Sequence, residues 1–269
     1  MMLRNHIIKR WLGPVTIVAG AALGASALSG CAQERVGCQT AHGDFIMKFT
    51  LKSGTGACAE HIGGVFGVQT YYGKGDGTRP DFSEARVAIQ SEELGAAVDE
   101  AEERLGEIPD ANNPPYAIGA FAKMTPDGDS LCSVPTFAPA KKDIPTLPAV
   151  PDDPQTTEDD ESLPAVPARS FQHEWSGVQV LVSEAATGTQ LIGTFKVTED
   201  GCTAEYEAWG LYPAVYCGDD DGNPVDEYCN AEPNPDAGLP IGSGINPDFP
   251  VHCDPELLFC MVTSKPPTQ

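Results

Sequence analysis

The sequence predicts a mainly β protein of the α+β class, built from antiparallel meander sheets with one helix, stabilised by disulfides and interrupted by a proline-rich acidic insertion. Three observations support this prediction. Apolar and polar residues alternate in several runs of strand length, a helical pattern is well formed in one segment, and nine cysteines occur in 269 residues. The 28 glycines and 24 prolines indicate that much of the remaining chain lies in turns and loops.

The first strands are predicted in the N-terminal region, residues 31–134. Phe45, Met47 and Phe49 occupy alternate positions of one run, which is the pattern of a strand with one buried face. Turn-forming segments rich in glycine separate this run from those that follow. The other strands of this region are predicted over residues 65–72, 86–90 and 116–124 and near Leu131.

One helix is predicted between Ser91 and Gly106. The Ser91 hydroxyl is suited to accept a hydrogen bond from a free N–H of the first turn, and Glu92 and Glu93 favour the positive end of the helix dipole. Gly106 stands where a helix commonly stops. The apolar face of this helix is formed by Leu94, Val98, Ala101 and Leu105.

Residues 135–169 are predicted to form a proline-rich acidic linker or surface loop. Proline lacks the backbone N–H that a central strand or a helix requires, and acidic residues fill positions 158–161. The pentapeptide Leu147–Pro151 recurs intact as Leu163–Pro167. Such a segment is expected to be extended and largely disordered, and a proline-rich recognition ligand is the alternative.

An antiparallel meander is predicted in the C-terminal region, residues 170–269. Alternating runs begin at Phe171 and Leu191, and Asp200-Gly201 is a favoured tight hairpin turn before a third strand. Beyond Cys217 the sequence is mostly loop. The meander either forms one domain with the N-terminal region or stands as a second domain, and the sequence leaves both arrangements open.

The N-terminal segment, residues 1–30, has the composition of an export signal. A basic leader precedes an apolar run over residues 12–28, and small residues precede Cys31. The tetrapeptide Leu28-Ser29-Gly30-Cys31 resembles the lipobox of bacterial lipoproteins, in which the cysteine receives diacylglycerol and becomes the first mature residue. The resemblance implies lipidation of Cys31.

Two alternatives to the lipobox remain open. In the first, an ordinary signal peptidase cleaves after Ala25-Ser26-Ala27 and releases a soluble chain that starts at Leu28. In the second, the apolar run stays in place as an uncleaved membrane helix, which Pro14 disfavours. Cysteine parity favours the lipobox, because an odd thiol in an exported protein needs an explanation. Lipidation of Cys31 leaves eight cysteines for disulfides. These candidates are Cys38, Cys58, Cys132, Cys202, Cys217, Cys229, Cys253 and Cys260.

The pairing of these eight cysteines does not follow from the sequence, because many connectivities satisfy the same spacing. Proximity along the chain alone predicts Cys38–Cys58, Cys217–Cys229 and Cys253–Cys260.

The charge of the chain limits its partners. The signal contains three basic and no acidic residues, so its removal leaves 13 basic against 39 acidic residues, a formal charge of −26. Phosphates of nucleic acids and anionic lipid headgroups repel such a chain, since binding them requires clustered Lys and Arg. No nucleic-acid partner is therefore predicted.

The acidic loop over residues 218–227 suggests calcium binding, since hard cations prefer several oxygen ligands. Its spacing does not match an EF-hand, and a solvated acidic loop is the alternative. The candidate ligands are Asp219, Asp221, Asp226 and Glu227.

The remaining sequence contains no motif that declares a chemistry. The histidines lack the spacing of a zinc site, and His173 is predicted to form a surface pair with Glu174. A nucleophile elbow is absent from the sequence. No catalytic, cofactor-binding or metal-binding residue is therefore predicted.

A family resemblance extends over most of the chain outside the signal and the linker. The segments that carry it are Cys38–Asp44, Leu51–Cys58, Gly67–Gly73, Thr198–Ala204 and Gly210–Val215. In these segments the chain resembles uncharacterised lipoproteins that are abundant in social, gliding soil bacteria. The resemblance implies no activity, and of the functional residues it implies Cys31 alone.

The sequence-based hypothesis is a non-enzymatic lipoprotein of the cell envelope with a binding, scaffolding or structural role. It would be anchored through Cys31 in the outer membrane and face the periplasm or the exterior, because Ala32 replaces the aspartate that retains enteric lipoproteins in the inner membrane. The alternatives are an extracytoplasmic hydrolase whose site is assembled from scattered residues, and a calcium- or small-ligand-binding module. No cofactor is predicted, and a protein or envelope partner stays open.

Overall fold

A computed structural model describes residues 36–107, 109–151, 162–237 and 239–266. Its strands are β1 (Gly43–Gly54), β2 (Gly63–Gly73), β3 (Asp81–Ser91), β4 (Ala117–Ala120), β5 (Leu131–Ala138), β6 (Ala140–Ile144), β7 (Arg169–Val182), β8 (Thr187–Glu199), β9 (Cys202–Leu211), β10 (Val251–Cys253) and β11 (Cys260–Val262). Helix α1 (Glu92–Leu105) lies between β3 and β4. Short 3-10 turns cover Ala57–Ala59, Asp226–Cys229 and Pro235–Ala237.

The main sheet closes on itself as a ring. Its strand order is β5-β4-β3-β2-β1-β9-β8-β7-β6, and a further β5–β7 pairing joins the two ends. Strands β5 and β6 pair in succession with β7, where Cys132 lies opposite Val180 and Ala140 opposite His173. Every pairing is antiparallel, and apart from β1–β9 and β5–β7 each pairing joins strands that are consecutive in the chain. The predicted fold class is confirmed, with strands from both predicted regions in one sheet.

The main hydrophobic core lies inside this ring. Successive side chains of a strand point to opposite faces, so one residue in two faces inward. Phe45 lies opposite Phe66 across β1–β2, and Phe195 opposite Tyr206 across β8–β9. All four side chains are buried in one core cluster, together with Leu94 of α1. Helix α1 thus packs against the same core that the strands enclose.

Helix α1 begins and ends where the sequence predicts. The Ser91 hydroxyl accepts a hydrogen bond from the backbone N–H of Leu94 at 3.2 Å, and Gly106 takes a left-handed conformation with φ of 73°. Leu94, Val98 and Ala101 are buried, and the acidic residues of the helix face away from the core or sit at its margin. The N-cap, the C-terminal glycine and the apolar face are therefore sufficient to predict where this helix begins and ends.

Strand β1 is buried on both of its faces near its start, whereas its last five residues are exposed. Phe45, Ile46 and Met47 follow one another and have no solvent exposure. Ile46 belongs to a second apolar cluster that includes Met261 of β11, so the C-terminal segment covers the outer face of the ring. An ion pair between Lys48 and the buried Asp254 fixes this segment to β1.

The eight cysteines of the described residues form four disulfides. They are Cys38–Cys132, Cys58–Cys202, Cys217–Cys253 and Cys229–Cys260. The predicted participation of all eight is confirmed, but the three pairings predicted from proximity are wrong. Closure of the ring brings together cysteines that are 94 and 144 residues apart in sequence, which proximity along the chain does not anticipate.

The described residues of the proline-rich segment are more ordered than expected. Strand β5 runs through Pro135, which is left out of the register between Val134–Val178 and Thr136–Ser176 because proline has no N–H to donate. The two copies of the pentapeptide pair with each other. Their isolated bridges are Leu147–Val166 and Val150–Leu163, each closed by two backbone hydrogen bonds.

Helix α1 holds both copies of the pentapeptide through one side chain. Arg104 donates to the carbonyl oxygens of Pro148 and Pro164, at 3.3 and 2.8 Å. These prolines occupy the same position in each copy, so the repeat forms a two-stranded arm bound to the helix. The acidic run at 158–161 lies outside the described residues.

Residues 1–35 also lie outside the described residues. The predicted signal over residues 1–30, the tetrapeptide that resembles a lipobox, and Cys31 therefore remain predictions.

Candidate ligand-binding cavity

A cavity of about 190 Å³ opens inside the ring where β3 passes into α1. Three phenyl rings form its apolar wall, contributed by Phe49 of β1, Phe66 of β2 and Phe195 of β8. The centroids of Phe49 and Phe195 are 5.1 Å apart, and Phe66 meets both rings edge-on at 5.8 and 5.7 Å. Such aromatic packing makes the wall rigid as well as apolar.

Three polar side chains from three strands form a hydrogen-bonded chain next to this wall. The Ser91 Oγ lies 3.4 Å from His173 Nδ1, and His173 Nε2 lies 3.0 Å from Glu199 Oε1. The three residues are 6%, 4% and 8% exposed. Both hydrogen bonds form when the Ser91 hydroxyl donates to Nδ1 and Nε2–H donates to Glu199.

Glu199 is a buried carboxylate held in its charged form. Burial raises the pKa of this carboxyl, but the hydrogen bond from His173 and the charges of His173, His61 and Arg169 outweigh burial, so the pKa lies below its ordinary value. The second oxygen, Oε2, lies 3.8 Å from His61 Nε2 and 3.9 Å from an Arg169 Nη2 nitrogen. The cavity therefore contains a fixed negative charge at neutral pH.

Two further carboxylates come from the first turn of α1. Glu92 and Glu93 both line the cavity and are exposed to solvent. Glu93 shares the guanidinium of Arg169 with Glu199, at 2.8 Å from Oε1 of Glu93. Two of the three carboxylates thus share one guanidinium, and the excess of charge around this cavity is negative.

The hydrogen-bonded chain from Ser91 through His173 to Glu199 has the same residue types as the serine, histidine and acid triad of hydrolases. Its surroundings, however, do not favour acyl transfer. The Ser91 oxygen already serves as the N-cap of α1. Glu92 and Glu93 follow it directly, so negative charge that develops on a substrate oxygen would meet carboxylates, whereas an oxyanion site requires donors. The cavity is better suited to hold a positively charged group than to stabilise an oxyanion.

The cavity residues do not converge as a metal site. Among the described residues, the set of three ligand atoms that lie within 4.8 Å of one another consists of the sulfurs of Cys217, Cys229 and Cys260. These sulfurs belong to two neighbouring disulfides and offer no thiolate to a metal.

The acidic loop proposed for calcium is organised by its own hydrogen bonds. Asp219 Oδ1 accepts from the backbone N–H groups of Asp221 and Asn223, at 3.0 and 2.7 Å. The bonds from Asn223 are the main cause of a lowered pKa at Asp219. Asp226 instead accepts from the N–H of Cys253 at 2.7 Å, so the structure does not bring the four candidate ligands, including Glu227, into one set.

The prediction for His173 is wrong, and its correction reveals what sequence reasoning missed. Glu174 pairs at the surface with Lys196 at 2.7 Å, whereas His173 is buried and bonded to Glu199. Phe171, His173 and Trp175 alternate along β7, which places the histidine on the apolar inward face. That alternation was the available signal. Nothing in the sequence pointed to Ser91 or Glu199 as its partners.

Comparison with known proteins identifies the family. The MlpA family matches residues 43–213, which is more than half of the chain and includes Ser91, His173 and Glu199. The chain belongs to the MlpA family. A relative from Myxococcus xanthus, named "Putative lipoprotein MlpA", is 33% identical over 88 residues, which are 33% of this chain and 33% of that protein. The match thus spans about a third of that relative. No solved structure matches the chain significantly.

The MlpA family confirms the predicted resemblance to lipoproteins of social, gliding soil bacteria. It supports a lipoprotein and brings no activity with it. In the described part of the chain, no helix has both the length and the apolar character needed to cross a membrane.

Proposed function

We propose that this MlpA-family protein is a lipoprotein of the cell envelope, anchored through Cys31, whose exported domain binds a small ligand in the cavity of the closed sheet. The observation that carries the anchor is the pairing of all eight cysteines in the described residues. Cys31 is the ninth cysteine and stands at the end of the tetrapeptide that resembles a lipobox. An exported chain with four disulfides is left with one thiol, and lipidation uses it.

The proposed anchor is physically sufficient. Each buried methylene of an acyl chain contributes about 0.8 kcal/mol, and two or more chains make membrane attachment stable. The acidic chain offers no basic patch for anionic lipids, so attachment depends on the lipid alone. Ala32 after Cys31 favours the outer membrane, facing the periplasm or the exterior.

Replacement of the lipidated cysteine is expected to abolish attachment. Cys31→Ser removes the acceptor thiol, so we expect complete loss of radiolabelled palmitate incorporation and release of the protein from the membrane fraction. The matched control Ser29→Ala keeps a small residue in the same tetrapeptide and is expected to label normally. Palmitate incorporation that persists in Cys31→Ser, or a mature N-terminus at Leu28, contradicts the anchor.

The role proposed for the exported domain is binding without turnover. It is supported by the aromatic wall, the buried polar chain and the excess of carboxylates, which together suit a bound cation better than an acyl-transfer intermediate.

Substitution of Ser91 separates binding from hydrolysis. Ser91→Ala removes the N-cap of α1, and we expect a loss of about 1 kcal/mol in the free energy of unfolding, measured by urea denaturation. We expect wild type and variant alike to leave ester, peptide and glycoside substrates unhydrolysed. Ester turnover by the wild type that disappears in Ser91→Ala establishes the hydrolase alternative.

A further inference from the structure

We propose that the cavity binds a small organic cation, an ammonium ion carried by an apolar or aromatic body of about one ring. The inference rests on the proposed binding role and adds the chemical class of the ligand. The observation that supports it is the juxtaposition of three phenyl rings and three carboxylates around one cavity that is open to solvent on one side.

The size of the cavity limits the body of the ligand. A cavity of about 150 Å³ lined by apolar side chains holds a benzene molecule. The volume here is about 190 Å³, which accommodates a single ring and a short polar arm. A nucleotide or an oligosaccharide would extend out of this space into solvent.

The polar groups determine the charge of the ligand. Glu92, Glu93 and Glu199 line the cavity, and Arg169 is the guanidinium that lies against two of them. Glu92 lies at the solvent-exposed mouth, where an incoming ammonium group first meets a carboxylate. The formal charge of −23 over the chain also raises the local concentration of cations and repels anions.

The aromatic wall provides a second reason for a cation. The faces of phenyl rings carry partial negative charge and attract ammonium groups, most strongly where water is excluded. Phe49 and Phe195 are stacked, with centroids 5.1 Å apart and an angle of 28° between their planes. Phe195 is buried beneath this stack, so the half-buried Phe49 is the ring that a ligand can reach. A ring-bearing ammonium ion can pack its body on this wall and direct its charged end to Glu92 and Glu199.

Three ligands of matched shape test the inference on the mature lipidated protein in a nonionic detergent. Benzylamine is cationic, benzyl alcohol is neutral and benzoate is anionic at about pH 8, above the ordinary range of histidine titration. In titrations followed by NMR, we expect benzylamine to bind at least about tenfold more tightly than benzyl alcohol, and benzoate not to bind.

A carboxylate variant with a matched control completes the test. Glu92→Gln removes one charge at the exposed mouth and is expected to weaken benzylamine binding about three- to tenfold while leaving benzyl alcohol unchanged. Glu103→Gln removes the same charge from an exposed position of α1 that does not line the cavity, and is expected to have no effect.

The outcomes separate this inference from the function on which it rests. Equal binding of benzyl alcohol and benzylamine, or preferred binding of benzoate, contradicts the cationic class of the ligand but is consistent with the proposed binding role. Failure of all three ligands overturns the cationic ligand and the binding role together. The lipid anchor is tested independently by palmitate labelling.

Discussion

Phe195→Ala is expected to lower the free energy of unfolding by about 3–5 kcal/mol. Phe195 is 2% exposed and lies at the centre of the aromatic core. Its ring centroid is 4.8 Å from Trp175, 5.1 Å from Phe49, 5.3 Å from His173 and 5.7 Å from Phe66. Removal of the ring exposes these partners to a void that the closed sheet has little freedom to collapse, because β7, β8 and β9 are hydrogen-bonded on both sides.

The measurement for Phe195→Ala is urea denaturation followed by circular dichroism, with disulfides intact. Phe82→Ala is the matched control, because Phe82 is 61% exposed near the start of β3 and its loss is expected to change stability by about 0.5 kcal/mol or less. Equal destabilisation by the two substitutions would contradict the placement of Phe195 at the centre of the core.

Removal of the Cys58–Cys202 disulfide is expected to lower the free energy of unfolding by about 2–5 kcal/mol. This bond joins residues 144 positions apart, so it restricts a long loop of the unfolded chain. It also ties the β1–β2 connection to the start of β9, where the Tyr206 hydroxyl donates to the carbonyl of Cys58. The double variant Cys58→Ala/Cys202→Ala is compared with wild type in urea.

The single variant Cys58→Ala tests the pairing itself. We expect one reactive thiol per lipidated chain after unfolding, and peptide mapping is expected to place it on Cys202. A free thiol on Cys38 instead would support the pairing that sequence proximity predicted and contradict the fold. The thiol measurement does not depend on the measured stability, so the pairing and the stabilising effect of the disulfide are tested independently.

Local elements were predictable because their determinants are local. Ser91 and Gly106 define α1 through capping and a left-handed stop, and residues around them need no distant partner to do so. The alternation in β1 and β7 likewise identified strands, because successive side chains of a strand point to opposite faces. The paired pentapeptide copies were not anticipated, because their bridges depend on Arg104 of a helix 44 and 60 residues away.

The cavity was not predictable because its residues come together only when the ring closes. His173 lies opposite Val197 and Glu199 opposite Phe171, so His173 and Glu199 meet diagonally across β7 and β8. Ser91 reaches His173 from β3. Their separations in sequence are 82 and 26 residues, and their types are common in any acidic chain. A buried histidine on an alternating apolar run was the one signal that pointed to the site.

The sequence by itself determined the fold class, the helix and its ends and the use of eight cysteines in disulfides. These properties follow from local patterning and composition, which do not depend on the path of the chain. The tertiary structure alone decided the closure of the sheet, the disulfide pairing and the site formed by Ser91, His173 and Glu199. All three depend on contacts between residues far apart in sequence, and strand register across the closed ring is what brings those residues together.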